Sequence, residues 1–148
     1  MGRDVCCTID SNLRTLSIHS SPLLSSLPTS PFTGTIPEEA YSLVALTYLS
    51  LSYSKTEGFL PDMIPKLQKL PLLQVLGLGK GTSGTIPEGI GALVALTYLD
   101  LGSTSIEGTL PGDDLAKLVN LQTLGLHGTK LSGGSEEKCP LRVVTFSG

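Results

Sequence analysis

The feature that most limits what this chain can fold into is an internal repeat. Residues 34–51 read GTIPEEAYSLVALTYLSL, and residues 84–101 read GTIPEGIGALVALTYLDL. A shorter unit lies inside this repeat, because the pattern L-x-x-L-x-L begins at Leu46, Leu73, Leu96 and Leu121, and LRTLSI at Leu13 matches it with isoleucine in the last place. A looser copy, LRVVTF, begins at Leu141. We therefore predict a stack of about five similar units with a partial sixth.

The spacing of the units locates the loops. Successive units begin 33, 27, 23 and 25 residues apart, a variation around a unit of about 24 residues. Each change in length falls in a turn or crossover segment, such as SPLLSSLPTSP or GKGTSG, where loops tolerate insertions and deletions. We expect residues 1–148 to form one domain.

Each L-x-x-L-x-L predicts a short, half-buried strand, because its last two leucines alternate with polar or small residues. One such strand cannot bury its leucines alone, whereas equivalent strands stacked side by side form a parallel ladder over a continuous core. The predicted strands lie near residues 15–19, 48–52, 75–79, 98–102, 123–127 and 143–147.

The second half of each unit carries Gly-x-Ile/Leu-Pro, at residues 34–37, 58–61, 84–87 and 108–111. Glycine permits a sharp return, and proline lacks the N–H that a fully paired strand needs, so only a short strand fits here. The leucines that follow at intervals of three predict a 3₁₀ or short helical crossover. Asp113 and Asp114 predict the N-cap of one such helix, before LAKL.

Composition and motifs exclude several classes of function. The net charge is −3 without a basic cluster, so we expect no binding to nucleic acid. No apolar run approaches the roughly 18 residues of a membrane helix, and the start, MGRDVCCTID, shows no signal-peptide core.

The motifs G-x-S-x-G, H-E-x-x-H and C-x-x-C are absent, and GKGTSG is a repeat turn that fits G-x-G-x-x-G by chance. His19 and His127 lie about 19 Å apart by strand spacing. We expect no enzyme, cofactor or metal site.

The combined pattern L-x-x-L-x-L…G-x-I-P-x-x-x-x-x-L-x-x-L resembles the plant-type leucine-rich repeat proteins, from residue 5 to about residue 134. The resemblance implies an α/β solenoid, a right-handed horseshoe with a parallel concave β-sheet and with 3₁₀ or short helices and loops on its convex side. It also implies a ligand-binding module, as in extracellular receptor ectodomains and secreted polygalacturonase-inhibitor-like proteins. An extracellular or cell-surface location is implied by the family only.

The sequence departs from the family pattern in two respects. The family's asparagine ladder is replaced by Ser21, Ser54, Thr104 and Thr129, with Gly81 in the shortened unit. Because these residues supply only part of the hydrogen bonding of asparagine, we expect a weaker and more water-dependent spine. The chain has no tryptophan, which the family's N-terminal cap carries, and LRVVTFSG lacks an evident cover. We expect truncated or atypical caps.

Alternation along the predicted strands identifies the side chains that leave the core. Tyr48 and Tyr98 lie on either side of Val75, and tyrosine is common among interface anchors, although it also favours strands. We expect Gly77, Gly79 and Gly102 to let a ligand's backbone come close. We predict a monomer that binds a protein or peptide ligand through Tyr48, Ser50, Val75, Tyr98, Asp100 and His127.

Two other functions are compatible with the sequence. Thr35, Thr85 and Thr109 share one position of the Gly-x-Ile/Leu-Pro motif and form a row of hydroxyls that could bind ice or a crystal surface. Phe59 interrupts this row, and threonine there also favours extended backbone. The repeats could instead form a structural spacer.

The three cysteines give a prediction about redox state. Cys6 and Cys7 lie at one end of the predicted stack and Cys139 lies at the other, roughly 24 Å away over five strand steps, which is beyond disulfide reach. Thiol titration of the unfolded, unreduced protein should find three free thiols or mixed intermolecular dimers. An intramolecular link from Cys139 to Cys6 or Cys7 would contradict the predicted stacking.

Overall fold

The two halves of each repeat unit contribute strands to two different sheets. The computed structural model describes residues 7–9, 14–18, 33–36, 38–52, 54–132 and 144–145. The first sheet holds, in spatial order, β1 (Cys7–Ile9), β2 (Thr15–Ile18), β4 (Tyr48–Ser50), β6 (Val75–Gly77), β8 (Tyr98–Asp100), β10 (Thr123–Gly125) and β12 (Val144–Thr145). The second sheet holds β3 (Thr33–Gly34), β5 (Lys55–Phe59), β7 (Gly81–Gly84), β9 (Ser105–Gly108) and β11 (Lys130–Leu131).

The first sheet confirms the repeat alignment residue by residue. From β2 to β12 the strands pair in parallel, with Leu49 opposite Leu76 and Leu124 opposite Val144. The strands are shorter than the five residues predicted for most of them. After β4 ends, one more hydrogen bond links it to β6, from the Leu51 N–H to the Gly77 carbonyl. β1 departs from the parallel pattern, because it pairs antiparallel with β2. It thereby covers the edge that β2 would otherwise present.

Several sequence predictions lie outside the described residues. Cys6, Cys139, His19 and Ser21 belong to segments that the structure does not describe, and of Cys7 only the backbone placement in β1 is described. The prediction of three free thiols therefore stays a prediction.

The crossovers that lie in the described residues are short helices, as predicted. Within these ranges, two are 3₁₀ helices, Glu38–Ser42 and Glu88–Ala92, and two are α helices, α1 (Leu60–Leu67) and α2 (Gly112–Leu115). Each begins within or directly after a Gly-x-Ile/Leu-Pro motif. The predicted N-cap is wrong, because Asp113 and Asp114 lie inside the first turn of α2 and Pro111 occupies the cap position. Asp114 instead forms an ion pair with Lys117.

The repeated leucines form one core. Three leucines of each strand motif, one before, one within and one after the strand, recur at equivalent places around β4, β6, β8 and β10. They are almost fully buried: Leu46, Leu49, Leu51, Leu73, Leu76, Leu78, Leu96, Leu99, Leu101, Leu121, Leu124 and Leu126. Burial of one such side chain contributes roughly 1.5–3 kcal/mol. Because every unit places its leucines against those of the next, neighbouring units stabilise one another.

Tyr41 links two crossover helices, the 3₁₀ helix Glu38–Ser42 and α1. Its ring is buried, and the ammonium group of Lys66 lies 5.6 Å from the ring centroid. Lys66 also forms an ion pair with Glu38. Burial, together with the negative charge of Glu38, raises the pKa of Tyr41 to about 12.

Hydroxyl groups take the place of the asparagine ladder at three positions. Ser54, Thr104 and Thr129 each donate a hydrogen bond to the carbonyl three residues earlier, at 2.8, 2.7 and 2.8 Å. These carbonyls belong to the last leucine of each strand motif, and one such bond is worth about 1 kcal/mol. Among the described residues, no buried side-chain N or O atom lacks a hydrogen-bond partner. A weaker spine than the family's is still a prediction.

The second sheet pairs in a different register from the first. The motif aligns Gly84 with Gly108, but the ladder places Gly84 opposite Ile106, two residues earlier. This displacement brings Phe59 against Gly84 and the methyl group of Thr85 against Gly108. Both glycines have positive φ angles, 99° and 89°. Glycine is therefore required here by backbone conformation and by the close approach of the neighbouring unit.

Replacement of Gly84 tests this requirement. In Gly84→Ala, the new methyl group would lie 2.6 Å from the Phe59 ring and 2.9 Å from Pro61 Cδ, at a φ that alanine disfavours. We expect the free energy of unfolding to fall by about 1–3 kcal/mol, the usual cost of such a strained residue, as measured by urea denaturation.

Gly89→Ala is the matched control. Gly89 lies in a 3₁₀ helix, and its nearest neighbour would be the amide end of the flexible Gln68 side chain, at 3.1 Å. We expect this variant to change the stability by less than about 0.5–1 kcal/mol. Equal losses for the two variants would contradict the special role of Gly84.

Candidate functional site

A shallow trough lies on the outer face of the first sheet, opposite the face that carries the leucine core. It has a volume of about 340 Å³ and is lined by Tyr48, Ser50, Ser52, Val75, Gly77, Tyr98 and Asp100. These residues come from three consecutive units. The in-register pairing of β4, β6 and β8 places them in two rows that cross the strands.

The first row consists of Tyr48, Val75 and Tyr98. Val75 lies opposite Tyr48 on one side and Tyr98 on the other, so the two tyrosines stand two strand steps apart, roughly 10 Å. They are 37% and 40% exposed, respectively. The residues that follow them, Leu49 and Leu99, are buried, and alternation along the strand therefore directs both rings outward.

The second row consists of Ser50, Gly77 and Asp100, again directly opposite one another. Ser52 crosses this row, because its hydroxyl occupies the place where a Cβ of Gly77 would lie. From there the hydroxyl makes a long hydrogen bond, 3.5 Å, to Asp100 Oδ2. The other carboxylate oxygen, Oδ1, accepts the backbone N–H of Gly102 at 2.9 Å. The Asp100 carboxylate is thus held in place from both sides.

Two of the three glycines do not act as the sequence predicts. Gly77, Gly79 and Gly102 were expected to leave open space for a ligand's backbone, but all three are buried. A Cβ at Gly102 would overlap the imidazole of His127, and one at Gly79 would lie 2.6 Å from the carbonyl oxygen of Ser54. The prediction is wrong for Gly79 and Gly102, because these glycines make room for groups of neighbouring units. Gly77 lines the trough, and the approach of a ligand's backbone to it stays a prediction.

The structure brings together five of the six predicted binding residues. Tyr48, Ser50, Val75, Tyr98 and Asp100 line the trough, whereas His127 covers Gly102 and is exposed outside it. Ser52 lines the trough but was not among the predicted binding residues. Its signal in the sequence is the glycine at position 77 in the next unit, which is the position that its hydroxyl overlies.

The alternative surface lies on the second sheet. Thr35, Thr85 and Thr109 are exposed at the ends of β3, β7 and β9. The two-residue displacement between neighbouring strands means that equivalent positions of the motif do not lie directly opposite each other. Phe59, half exposed, occupies the place of the missing threonine.

The chemical groups of the trough suit binding. Its lining offers two aromatic faces, two serine hydroxyls and one carboxylate, without a histidine, lysine or cysteine. The described part of the chain holds no group of three or more His, Cys, Asp or Glu side chains placed to bind a metal ion. None of the helices in the described ranges is long and apolar enough to span a membrane.

Comparison with known proteins finds similar solved structures. No protein-family model and no curated protein sequence matches the chain. The plant peptide hormone receptor RGFR1 in complex with RGF2 is similar with a TM-score of 0.64 and 31% identity, over 82% of this chain and 20% of that one. The leucine-rich repeat ectodomain of the receptor kinase SOBIR1 from Arabidopsis thaliana has a TM-score of 0.66 and 26% identity, over 98% of this chain and 78% of that one. A plant ice-binding protein has a TM-score of 0.53 and 24% identity, over 68% of this chain and 39% of that one, which is a likeness of fold alone.

The support of Gly102 by Asp100 gives a prediction. Asp100→Ala removes the acceptor of the buried Gly102 N–H, and we expect this to lower the free energy of unfolding by about 1–3 kcal/mol. Asp100→Asn keeps a side-chain oxygen at the same place and should retain most of the stability. Urea denaturation of both variants measures the difference. Equal losses, or no loss in Asp100→Ala, would contradict a structural role for this hydrogen bond.

Proposed function

Because the chain is a plant-type leucine-rich repeat domain, we propose that it is a non-enzymatic module that binds a protein or peptide across the trough. The observation that carries this proposal is the pair of outward tyrosines, Tyr48 and Tyr98, held on a rigid sheet on either side of Val75. In this proposal the repeats form one domain, a monomer, and coil into a right-handed horseshoe with the first sheet on its concave side.

The position of the trough determines how a ligand would bind. The backbone groups of β4, β6 and β8 are engaged with neighbouring strands, so a ligand on this face must contact side chains instead of adding a strand to an edge. Tyrosine provides a large amphipathic contact with little loss of conformational entropy. A site that is already ordered also avoids the cost of ordering its loops on binding.

The similar receptor structures support a peptide or protein as the ligand. RGFR1 is a peptide hormone receptor in complex with RGF2. The present chain spans only 20% of RGFR1, so the similarity concerns a part of that receptor and not its whole activity. We propose that this chain is a segment of a receptor ectodomain or a secreted inhibitor.

The two alternatives have weaker support. Ice or crystal binding would use a flat and regular hydroxyl array, whereas Thr85 packs its methyl group on Gly108 and Phe59 interrupts the row. A structural spacer would not need two partly exposed tyrosines around a trough. We therefore propose that the binding site lies on the first sheet.

The tyrosine pair provides the test of this proposal. For a peptide selected on the wild-type protein from a random dodecapeptide library, the double variant Tyr48→Ala/Tyr98→Ala should lose at least about 2 kcal/mol of binding free energy, on the order of thirtyfold in affinity. Melting temperature should change little, because both side chains point away from the core.

The double variant Val44→Ala/Val94→Ala is the matched control. Val44 and Val94 are 60% and 52% exposed, and each lies four residues before a tyrosine of the pair, outside the trough. We expect this control to keep wild-type affinity. Unchanged affinity in a well-folded tyrosine variant would remove the site from this face.

A further inference from the structure

We infer that the trough recognises a positively charged side chain of its ligand, and arginine in preference to lysine. This inference rests on the proposed function, since it names the chemistry that the same trough would select. It follows from the placement of one carboxylate beside two aromatic rings in a trough whose other lining residues are neutral.

Asp100 is the charged residue of the trough. The other six lining residues are neutral at pH 7. The ion pairs formed within the described residues are Lys66 with Glu38 and Lys117 with Asp114, and both lie in the crossover segments. The Asp100 carboxylate is only half-buried, and in the described structure its hydrogen bonds come from Gly102 and Ser52.

The carboxylate retains capacity for a ligand. Its two oxygens offer about four lone-pair positions, of which the Gly102 N–H and the Ser52 hydroxyl use two. The Gly102 bond fixes Oδ1 over Gly125, where a Cβ would come within 2.6 Å of that oxygen. Oδ2 faces Ser52 and therefore the floor of the trough. The acceptor is thus oriented before a ligand arrives, which lowers the cost of binding.

The aromatic rings favour the same kind of ligand group. Tyr98 precedes Asp100 by two residues on β8, so the two Cα atoms are about 7 Å apart along the strand. A cation is attracted to a ring face within about 6 Å of the centroid. A guanidinium group in the trough could therefore contact a tyrosine ring and the carboxylate together. Its planar shape suits stacking and paired hydrogen bonds better than the ammonium group of lysine.

The same arrangement discriminates against other ligands. An acidic side chain in the trough would be repelled by Asp100. A neutral side chain would exclude water from the carboxylate without supplying a counter-charge, which is unfavourable for a partly buried ion. Specificity would thus come from rejection as well as attraction.

The test uses peptides selected from a random dodecapeptide library on the wild-type full chain, and we expect arginine to be enriched among them, more strongly than lysine. For one selected peptide that contains arginine, affinity is measured with the arginine intact, with lysine in its place, and with citrulline, a neutral isostere of arginine, in its place. The lysine peptide should bind more weakly than the arginine peptide, and equal affinity of the two would contradict the preference for arginine. Citrulline and the protein variant Asp100→Asn should each weaken binding by about tenfold or more, as loss of a hydrogen bond to a charged group does. Citrulline and Asp100→Asn combined should weaken binding little more than either change alone, because both changes remove the same interaction.

Asp113→Asn is the matched control, because Asp113 is an exposed aspartate on α2; it should leave affinity unchanged. Full affinity of the citrulline peptide, or of Asp100→Asn, overturns the inference. A selected peptide that lacks a basic residue but loses affinity in Tyr48→Ala/Tyr98→Ala also overturns it and leaves the proposed binding function standing. Peptides insensitive to the tyrosine variant, or a library without binders, contradict both.

Discussion

The structure depends on the packing of each unit's leucines against the leucines of the next unit. No single strand of three or four residues buries enough apolar surface to be stable alone, and the ladder from Leu16 to Val144 is what makes these short segments fold. The same packing fixes the register of the first sheet. Because a shift by one residue would bring the leucines to the outer face, the outward side chains are forced into rows.

The trough is a consequence of that register. Tyr48, Val75 and Tyr98 are equivalent positions of three units, and in-register pairing converts this equivalence into contact. In the second sheet the neighbouring strands are displaced by two residues, so equivalent positions there do not form direct rows. The two sheets therefore present different surfaces, although both are built from one repeated sequence. On the first sheet, the outward residues of neighbouring units lie side by side.

The sequence alone allowed prediction of the strands, the buried leucines and the outward rows, because alternation and repeat alignment encode these directly. Five of the six predicted binding residues gather in the trough for the same reason. Most of the errors concern contacts between units. That Ser52 overlies Gly77, or that His127 covers Gly102, depends on how far a side chain reaches across a neighbouring strand, which residue spacing does not specify. The Asp113–Asp114 error is local to one unit, because Pro111 occupies the N-cap position of α2 and Asp114 pairs with Lys117 instead.

The most direct test of this account is the location of a bound ligand. Titration of the ¹⁵N-labelled protein with a selected peptide, followed by amide chemical shifts, would map the contact surface. We predict that the largest shift changes fall on Tyr48, Ser50, Val75, Gly77, Tyr98 and Asp100. Largest changes at Thr35, Thr85 and Thr109, with the trough residues unmoved, would contradict it and place the binding surface on the second sheet.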